Sequence, residues 1–559
     1  MEKQSKLSPL FWVMLLLTIF LYMVNFSVND IWTENESFYA EAVREMMESG
    51  NYLDINFNYE PRFNKPPLTY WLIIVSSKLF GLNEFGIRLP FAILSFGTIL
   101  LVWGMARMLY GEKTALLAFA MQAISIQYIS LKAYASPETP LAFFFTLTLY
   151  LFLKGHLSGK AVYYSLSAVA LGLTVLTKGY PYMIIIGGII LFFLMMESGF
   201  KPKVFLGELK KIRPVSFVVI AACIGLSWVL FMTLRYGSAY LEVLDRETFN
   251  RAMTSDKPFG LEDLVFYPYV ILWGFYPYSL IFIYAFFNSL FVHRNFKENA
   301  FAFSWFAVMF VVFTVAKGKI PTYFIQANPA LVLITATFLV TYKPVTKFAS
   351  ALWNLAVIIP VVVGIVIGVM ITWLFNLPAY YYLFTVVAVL LTGLPFIVRK
   401  IISPDSDMPL LARQLSPFVF TLNVLLVFSI GILPLLEKRR PIDEVGRIIN
   451  EEYRIPSNVP LYLDSFMIHN LPFYAERKVI FDAVPEDVFT MSEPYLALLH
   501  SEKVPDSLKS SVIWKGDIYR KISSESRFMI LLGSYLEAEK GDMSGFEKFS
   551  LVYKRLGMK

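Results

Sequence analysis

MEKQSKLSPLFWVMLLLTIFLYMVNF, residues 1–26, sets a short basic and polar start before a long apolar run. A secretory leader has a shorter apolar core and a small-x-small cleavage site behind it. Here the run approaches the roughly 20 residues that a 30 Å hydrocarbon layer requires, and no such cleavage site follows. It reads as a retained first transmembrane helix over about 9–29. Working outward, comparable stretches recur near 88–110, 113–130, 138–154, 161–177, 180–197, 215–235, 264–291, 299–316, 323–341, 348–375, 379–398 and 415–436. They predict an all-α polytopic membrane protein of about 13 transmembrane helices. The segment at 66–81, PPLTYWLIIVSSKLFG, is short and interrupted, and reads as an interfacial helix.

Composition agrees with that reading. The 559 residues are 57% hydrophobic and 16% charged, with a mean hydropathy of +0.58, whereas soluble domains carry about 25% charged residues. A single cysteine, Cys223, excludes a disulfide framework and a cysteine-rich metal cluster. His156, His293, His469 and His500 share no HxxxH or HExxH spacing, which excludes the usual histidine metalloenzyme motifs.

Charge divides the chain. Residues 437–559 carry 18 Lys/Arg and 19 Asp/Glu, which leaves 31 of the 49 basic and 23 of the 42 acidic residues to the first 436. The basic excess lies among the apolar spans rather than along a stripe, so nucleic-acid binding is a poor reading. Short loops that the positive-inside rule places in the cytoplasm hold Lys3, Lys6, Arg107, Lys201, Lys203, Lys210, Lys211, Arg213, Arg294 and Lys297 among others. An N-terminus inside and an odd number of spans put the C-terminus outside. The expected domains are a membrane domain over 1–436, with external loop-one helices over about 30–87, and an external domain over 437–559. The tail alternates short β-rich runs (VPLYLD, KVIFDAV, SVIWKG, RFMILLG, FSLVYKR) with turn residues after a helical PIDEVGRIINEEY, which reads as a small α/β or α+β domain.

Several polar groups stand on the external side. In IWTENESFYAEAVREMMESG, Thr33 and Glu36 have capping-box spacing and Gly50 closes the helix. Capping accounts for Glu36 alone, yet Glu34, Glu36, Tyr39, Glu41 and Arg44 crowd three turns. In FNYEPRFNKPPLTYW, two prolines fix Lys65 at the head of an apolar segment with Arg62 nearby. Such a lysine either snorkels to headgroups or meets a phosphate. YASPETPLAFFF puts Glu138 on the positive end of the fourth span, where it serves the helix dipole or a reacting proton. Lys178 before Gly179, and Lys317 and Lys319 in VAKGKIPTYFI, are each explained as helix-end residues. With Lys65 they place four cations where topology does not ask for them, and an anionic ligand would.

NESFYAEAVREMMESGNYL, FNKPPLTYWL, FGLNEFGIRLPFA, LGLTVLTKGYPY and AKGKIPTYFIQANPAL follow one another in a familiar order. Over roughly 9–345 the chain resembles the bacterial polyprenyl-phosphate-sugar glycosyltransferases of GT-C type, namely the 4-amino-4-deoxy-L-arabinose lipid A transferases and their protein O-mannosyltransferase relatives. The resemblance implies an integral glycosyltransferase of the bacterial inner membrane, with its active site on the external, periplasmic side. It implies a polyprenyl-phosphate-sugar donor and a lipid or protein acceptor. Glu36 and Tyr39 match the family's acid-plus-tyrosine run, with Asn35 where aspartate is usual. Lys65 matches the KPP lysine, preceded by Asn64 where an acid is common. Glu138 stands at a usual aspartate, and Tyr323, led by Lys319, matches the KLPTY-like tyrosine. By that likeness Glu36, Glu138 and Asn35 are the candidate catalytic residues. Tyr39, Arg62, Asn64, Lys65, Lys178, Lys317, Lys319 and Tyr323 are the candidate substrate-binding residues.

Asn35 and Asn64 remove acids that would serve as a base or hold a metal, so a divalent metal stays open and no other cofactor is required. A hydroxyl acceptor needs a base, whereas a phosphate acceptor is already an anion and needs positioning and charge neutralisation. A site rich in lysine and short of aspartate suits a lipid A phosphate; a protein or glycan hydroxyl is the alternative. A flippase or transporter would place ionisable groups at midplane between broken helices and carry inverted repeats, neither of which the sequence displays.

Overall fold

The computed structural model describes residues 9–31, 33–250, 258–289, 299–343, 346–401, 408–437, 440–465, 467–519 and 528–555. Lys3, Lys6, Arg294 and Lys297 lie outside the described residues. The chain forms two compact units. The first gathers Met1–Val24, Phe63–Thr69 and Phe91–Ser429; the second gathers Asn25–Arg62, Tyr70–Pro90 and Ile430–Lys559.

Among the described residues six helices are long and apolar enough to cross a membrane: Glu84–Tyr110, Glu138–Ser158, Ala161–Lys178, Pro321–Thr341, Lys347–Leu374 and Arg413–Glu437. Two pairs, Glu112–Ile124 with Ile126–Ala133 and Pro214–Gly225 with Ser227–Tyr236, bend by 58° and 44° at short breaks and raise the number to eight. Other expected stretches hold shorter apolar helices, Pro9–Met23, Pro181–Glu197 and Ala300–Val315 among them. The segment at 264–291 holds two helices, Leu261–Gly274 and Ser279–Asn288. The fold is that of a multi-pass helical membrane protein.

Breaks in an apolar interior leave backbone groups that must find partners. At the 58° bend, Ser125 Oγ donates to Gly274 O at 2.9 Å and accepts from Asn328 Nδ2 at 2.7 Å, while Gln127 Nε2 reaches Pro321 O at 2.6 Å. Buried Lys132 turns its ammonium onto Leu21 O and Val24 O (3.2 Å), at the negative end of helix Pro9–Met23. Trp305, fully buried, donates to Gln326 O at 2.9 Å.

The hairpin Glu138–Ser158/Ala161–Lys178 positions the site. Gly159 takes a left-handed φ of 68° and turns the chain between the two helices. Glu138 precedes it by 21 residues and Lys178 follows by 19, so at about 1.5 Å per residue the two side chains end at nearly one level. Glycines bring in the next helix. A Cβ on Gly172 would stand 2.6 Å from Ile224 Cβ, and one on Gly225 2.7 Å from Val175 Cβ.

In the second unit, two short strands, β1 (Asn56–Phe57) and β2 (Glu60–Pro61), pair antiparallel. A five-stranded sheet follows with strand order β4-β3-β5-β7-β6, made of β3 (Leu461–Leu463), β4 (Val479–Ile480), β5 (Tyr495–His500), β6 (Val512–Tyr519) and β7 (Phe546–Lys554). β3 runs parallel to β4 and β5, while β7 is antiparallel to β5 and β6. Of RFMILLG, expected as a strand, Arg527 lies outside the described residues and FMILLG lies in helix Phe528–Glu539. A short apolar run does not separate strand from helix, and the helix formers that continue it decide for helix. The central strand β5 is buried along nearly its whole length.

The second unit groups most of loop one, Asn25–Arg62 and Tyr70–Pro90, with Ile430–Lys559. Asn29 Nδ2 donates to Leu433 O (2.7 Å) and Glu437 Oε2 (3.0 Å), and Asn470 Nδ2 donates to Ile31 O (2.7 Å). Asn58 and the Val479 backbone exchange two bonds of 2.8 Å. Helix Glu34–Ser49 starts as expected, with Thr33 Oγ1 accepting from Glu36 N at 3.2 Å and Gly50 closing it at φ 69°. The Glu36 carboxylate is clamped by Arg88, Nε to Oε1 at 2.7 Å and Nη2 to Oε2 at 2.8 Å, with both residues almost fully buried. Removing one partner of such a buried pair costs about 3–5 kcal/mol.

On the same helix, Glu45 accepts from Tyr59 N at 2.9 Å and lies 4% exposed near Glu41, whose carboxylate grips Arg44 at 2.7 and 2.8 Å. Burial, reinforced by the Glu41 charge against the opposing Tyr59 N–H, pushes the Glu45 carboxyl up to about 8. The folded state then holds a proton that the unfolded chain has released, so stability falls as pH rises from the ordinary carboxylate range through about 8. The thermal midpoint of the detergent-solubilised protein should drop across that window. Glu45→Gln should flatten the drop, and an unchanged slope in that variant would contradict the assignment.

Candidate functional site

Lysine–carboxylate pairs organise the first unit's polar groups. Lys65, held at the head of its segment by Pro66 and Pro67, lies 2.7 Å from Glu247 Oε2, and Asn64 Nδ2 donates to the other oxygen at 3.2 Å. Glu247 stands on the π-helical turn Arg246–Asn250 that follows helix Ser238–Asp245. Turns of this type re-aim side chains and recur at functional sites.

Lys178 ends its helix before Gly179, whose φ of 113° leads the chain out. Its ammonium lies 2.8 Å from Glu138 Oε1 and 4.8 Å from the Tyr323 ring centroid. Both members of the Glu138–Lys178 pair have side chains only 9% exposed. Lys65 and Lys178 line one cavity of about 30 Å³ together with Asn64, Trp228, Tyr240 and Glu247. The glycine-mediated approach of the hairpin to Pro214–Gly225 carries Trp228 to this wall.

Lys319 lies 2.7 Å from Asp263 Oδ1 and donates to Ala316 O at 2.6 Å. Its hydrogen bond, with that of Gly260 N, holds the Asp263 carboxyl below the usual carboxylate range. Lys317 and Lys319 both face the Phe259 ring, at 5.8 and 5.9 Å. The structure thus brings Asn64 and Lys65 to the same cavity as Lys178, with Glu138 and Tyr323 on Lys178, and gathers Lys317 and Lys319 around Phe259 and Asp263.

Asn35, Glu36, Tyr39 and Arg62 belong to the second unit. Asn35 is half-buried on the first turn of its helix. Tyr39 is fully buried against Tyr70 with ring centroids 4.6 Å apart, and the Arg62 guanidinium covers the Phe38 ring at 3.7 Å. Glu36, expected to be catalytic, is committed to Arg88 and reaches no solvent. A buried guanidinium fork on both oxygens fixes the orientation of that carboxylate.

Sequence reasoning missed Glu247, Asp263 and Arg88. Glu247 and Asp263 sit in the stretch 236–263 without a local motif. Arg88 had a signal, a charge entering an apolar span. Chemically, cations held by carboxylates around a small cavity suit an anion that exchanges with a carboxylate. Among the described residues, Glu247 is the one acid that lines this cavity, and it carries Lys65.

A sequence model of the Dolichyl-phosphate-mannose-protein mannosyltransferase family matches residues 64–228. An uncharacterized protein of Aquifex aeolicus is 33% identical over 520 residues, 93% of this chain and 95% of that protein. The undecaprenyl phosphate-alpha-4-amino-4-deoxy-L-arabinose arabinosyl transferase of Pseudomonas savastanoi is 27% identical over 334 residues, 59% of this chain and 61% of that enzyme. The crystal structure of ArnT from Cupriavidus metallidurans bound to undecaprenyl phosphate shares the fold, with a TM-score of 0.70 at 19% identity over 89% of this chain and 94% of that one. With its multi-pass helical fold, the chain belongs to the GT-C glycosyltransferases, in the superfamily of the arabinosyl transferases and protein mannosyltransferases that use a lipid-phosphate-linked sugar.

Proposed function

We propose that this glycosyltransferase takes one sugar from a polyprenyl-phosphate donor at the external face of a bacterial inner membrane and passes it to a lipid A phosphate. The observation that carries this reading is the meeting of Lys65 and Lys178 at one cavity, each held by a carboxylate. The crystallised ArnT binds undecaprenyl phosphate, and the curated arabinosyl transferases act with an undecaprenyl-phosphate-linked sugar. In the proposed step an acceptor phosphate oxygen attacks the sugar's anomeric carbon and the bond to the donor phosphate breaks. The lysines neutralise the charge that grows on the departing polyprenyl phosphate. At about 30 Å³ the cavity has room for little more than water, so the donor phosphate enters as Glu247 yields Lys65 to it.

The proposed topology has about 13 spans, the N-terminus inside, and residues 437–559 outside as a periplasmic domain. In a Cys223→Ser background, an impermeant thiol reagent added to intact cells should label Lys509→Cys and spare Lys203→Cys. The reverse pattern would overturn the sidedness of the site.

Lys65→Ala removes a charge-assisted contact to phosphate, worth on the order of 1.5–3 kcal/mol or roughly 10- to 150-fold. The variant should insert in the membrane and lose most transfer from a synthetic polyprenyl-phosphate sugar. Wild-type turnover in a folded Lys65→Ala protein would sink the phosphate assignment.

The match to the mannosyltransferase family model supports a second reading, transfer to a protein or glycan hydroxyl. There Glu138 would act as base. With a phosphate acceptor, Glu138→Gln keeps measurable transfer, because an amide still accepts from Lys178. With a hydroxyl acceptor the same change costs roughly 10²–10⁴-fold. Steep loss in Glu138→Gln, together with transfer to peptide and none to lipid A, would decide for the second reading.

A further inference from the structure

In the second unit three carboxylates distant in sequence converge. One oxygen each from Asp30, Glu437 and Asp443 lies within 4.8 Å of the other two. Asp30 is 4% exposed, and its Oδ2 accepts no hydrogen bond; a buried Oε1 of Glu437 accepts none either. Asp30 Oδ1, Glu437 Oε2 and Asp443 Oδ1 have partners. Arg440 pairs with Asp30 Oδ1, and its Nη1 stands 3.8 Å from Glu437 Oε2. Glu437 Oε2 accepts from Asn29 Nδ2 at 3.0 Å and Asp30 N at 3.1 Å, and Asp443 Oδ1 accepts from Glu444 N at 2.7 Å.

Among the described residues, three carboxylates gather here around the Arg440 guanidinium. Buried anionic oxygens without a proton or cation are costly, so such oxygens are normally paired or bound to a metal. A cavity of about 480 Å³, lined by Glu437, Arg440, Asp443, Trp514 and Lys515 among others, gives an ion and its waters a way in. An all-oxygen set of three carboxylates, completed by waters, suits Ca²⁺, which accepts an irregular shell of about six to eight oxygens, better than Mg²⁺, which demands near-ideal octahedral geometry.

We propose that Asp30, Glu437 and Asp443 form a Ca²⁺ site that ties the first external loop to the segment opening the C-terminal part of the chain. The clamp joins positions about 400 residues apart in sequence and stabilises the folded chain by mass action, because the unfolded chain holds no such triad. It is independent of sugar transfer.

The test uses the full chain in a non-ionic detergent, stripped with EDTA and titrated with CaCl₂ or MgCl₂ alone. Thermal midpoint and equilibrium dialysis are read together. The expected result is a saturable rise in the midpoint with one Ca²⁺ per chain and a weaker response to Mg²⁺. Asp443→Asn changes an exposed residue at the rim, so it should fold normally and need at least about tenfold more Ca²⁺. Asp30→Asn should abolish the response, and if it fails to fold, Asp443→Asn carries the test. No Ca²⁺-dependent rise, or an Asp443→Asn protein that titrates like wild type, would leave a plain Arg440 ion-pair network and overturn the proposal.

Discussion

An ammonium buried at the end of an apolar helix needs a carboxylate within reach, and the hairpin 138–178 supplies one. Glu138 opens the first helix and Lys178 ends the second, so a single left-handed glycine between them makes the pair a consequence of chain length. Burial then makes the pair obligatory, since either charge alone would be stranded in a low-dielectric interior. The rest of the site is assembled on that fixed point. Gly172 and Gly225 let the next helix close against it, which brings Trp228 to the wall, while Tyr323 covers the lysine from the other side.

The same principle separates structural charges from chemical ones. Arg88 and Glu36 satisfy each other with two short bonds and nearly no exposure, and Arg88 also caps the carbonyls of Asn29 and Asp30 at 2.5 and 2.7 Å. Lys65 and Glu247 keep side-chain exposures of 20% and 19% at a cavity wall. In the function we propose, Lys65 trades that carboxylate for the donor phosphate and so changes partners without being left as a bare charge.

Much of this was legible in the sequence where the signal was local. The apolar runs gave the membrane class, Thr33 and Gly50 gave the ends of the loop-one helix, and charges beside glycine or proline in apolar surroundings pointed to Lys65, Lys178 and Lys319, of which Lys65 and Lys178 line one cavity. What could not be read was set by tertiary placement. Glu247, on a π-helical turn, and Asp263, in the first turn of its helix, sit in a polar stretch where acids are ordinary, and only the fold brings them to lysines 182 and 56 residues away. The grouping of loop one with the tail depends on single asparagines meeting backbone groups about 400 residues distant, which no period reports. FMILLG and YLALLH carry similar apolar runs, yet one lies in a helix and the other forms the central strand. Neighbouring residues and sheet partners decide between them.

The account rests on chemistry at a membrane face rather than passage through the membrane. Its most direct test is a proteoliposome loaded with a synthetic polyprenyl phosphate carrying a radiolabelled sugar, with lipid A supplied at the same face. The account predicts that label moves from the donor to the acceptor and that free polyprenyl phosphate appears in equal amount. Label that crosses the bilayer still attached to its lipid phosphate, with none on any acceptor, would contradict it.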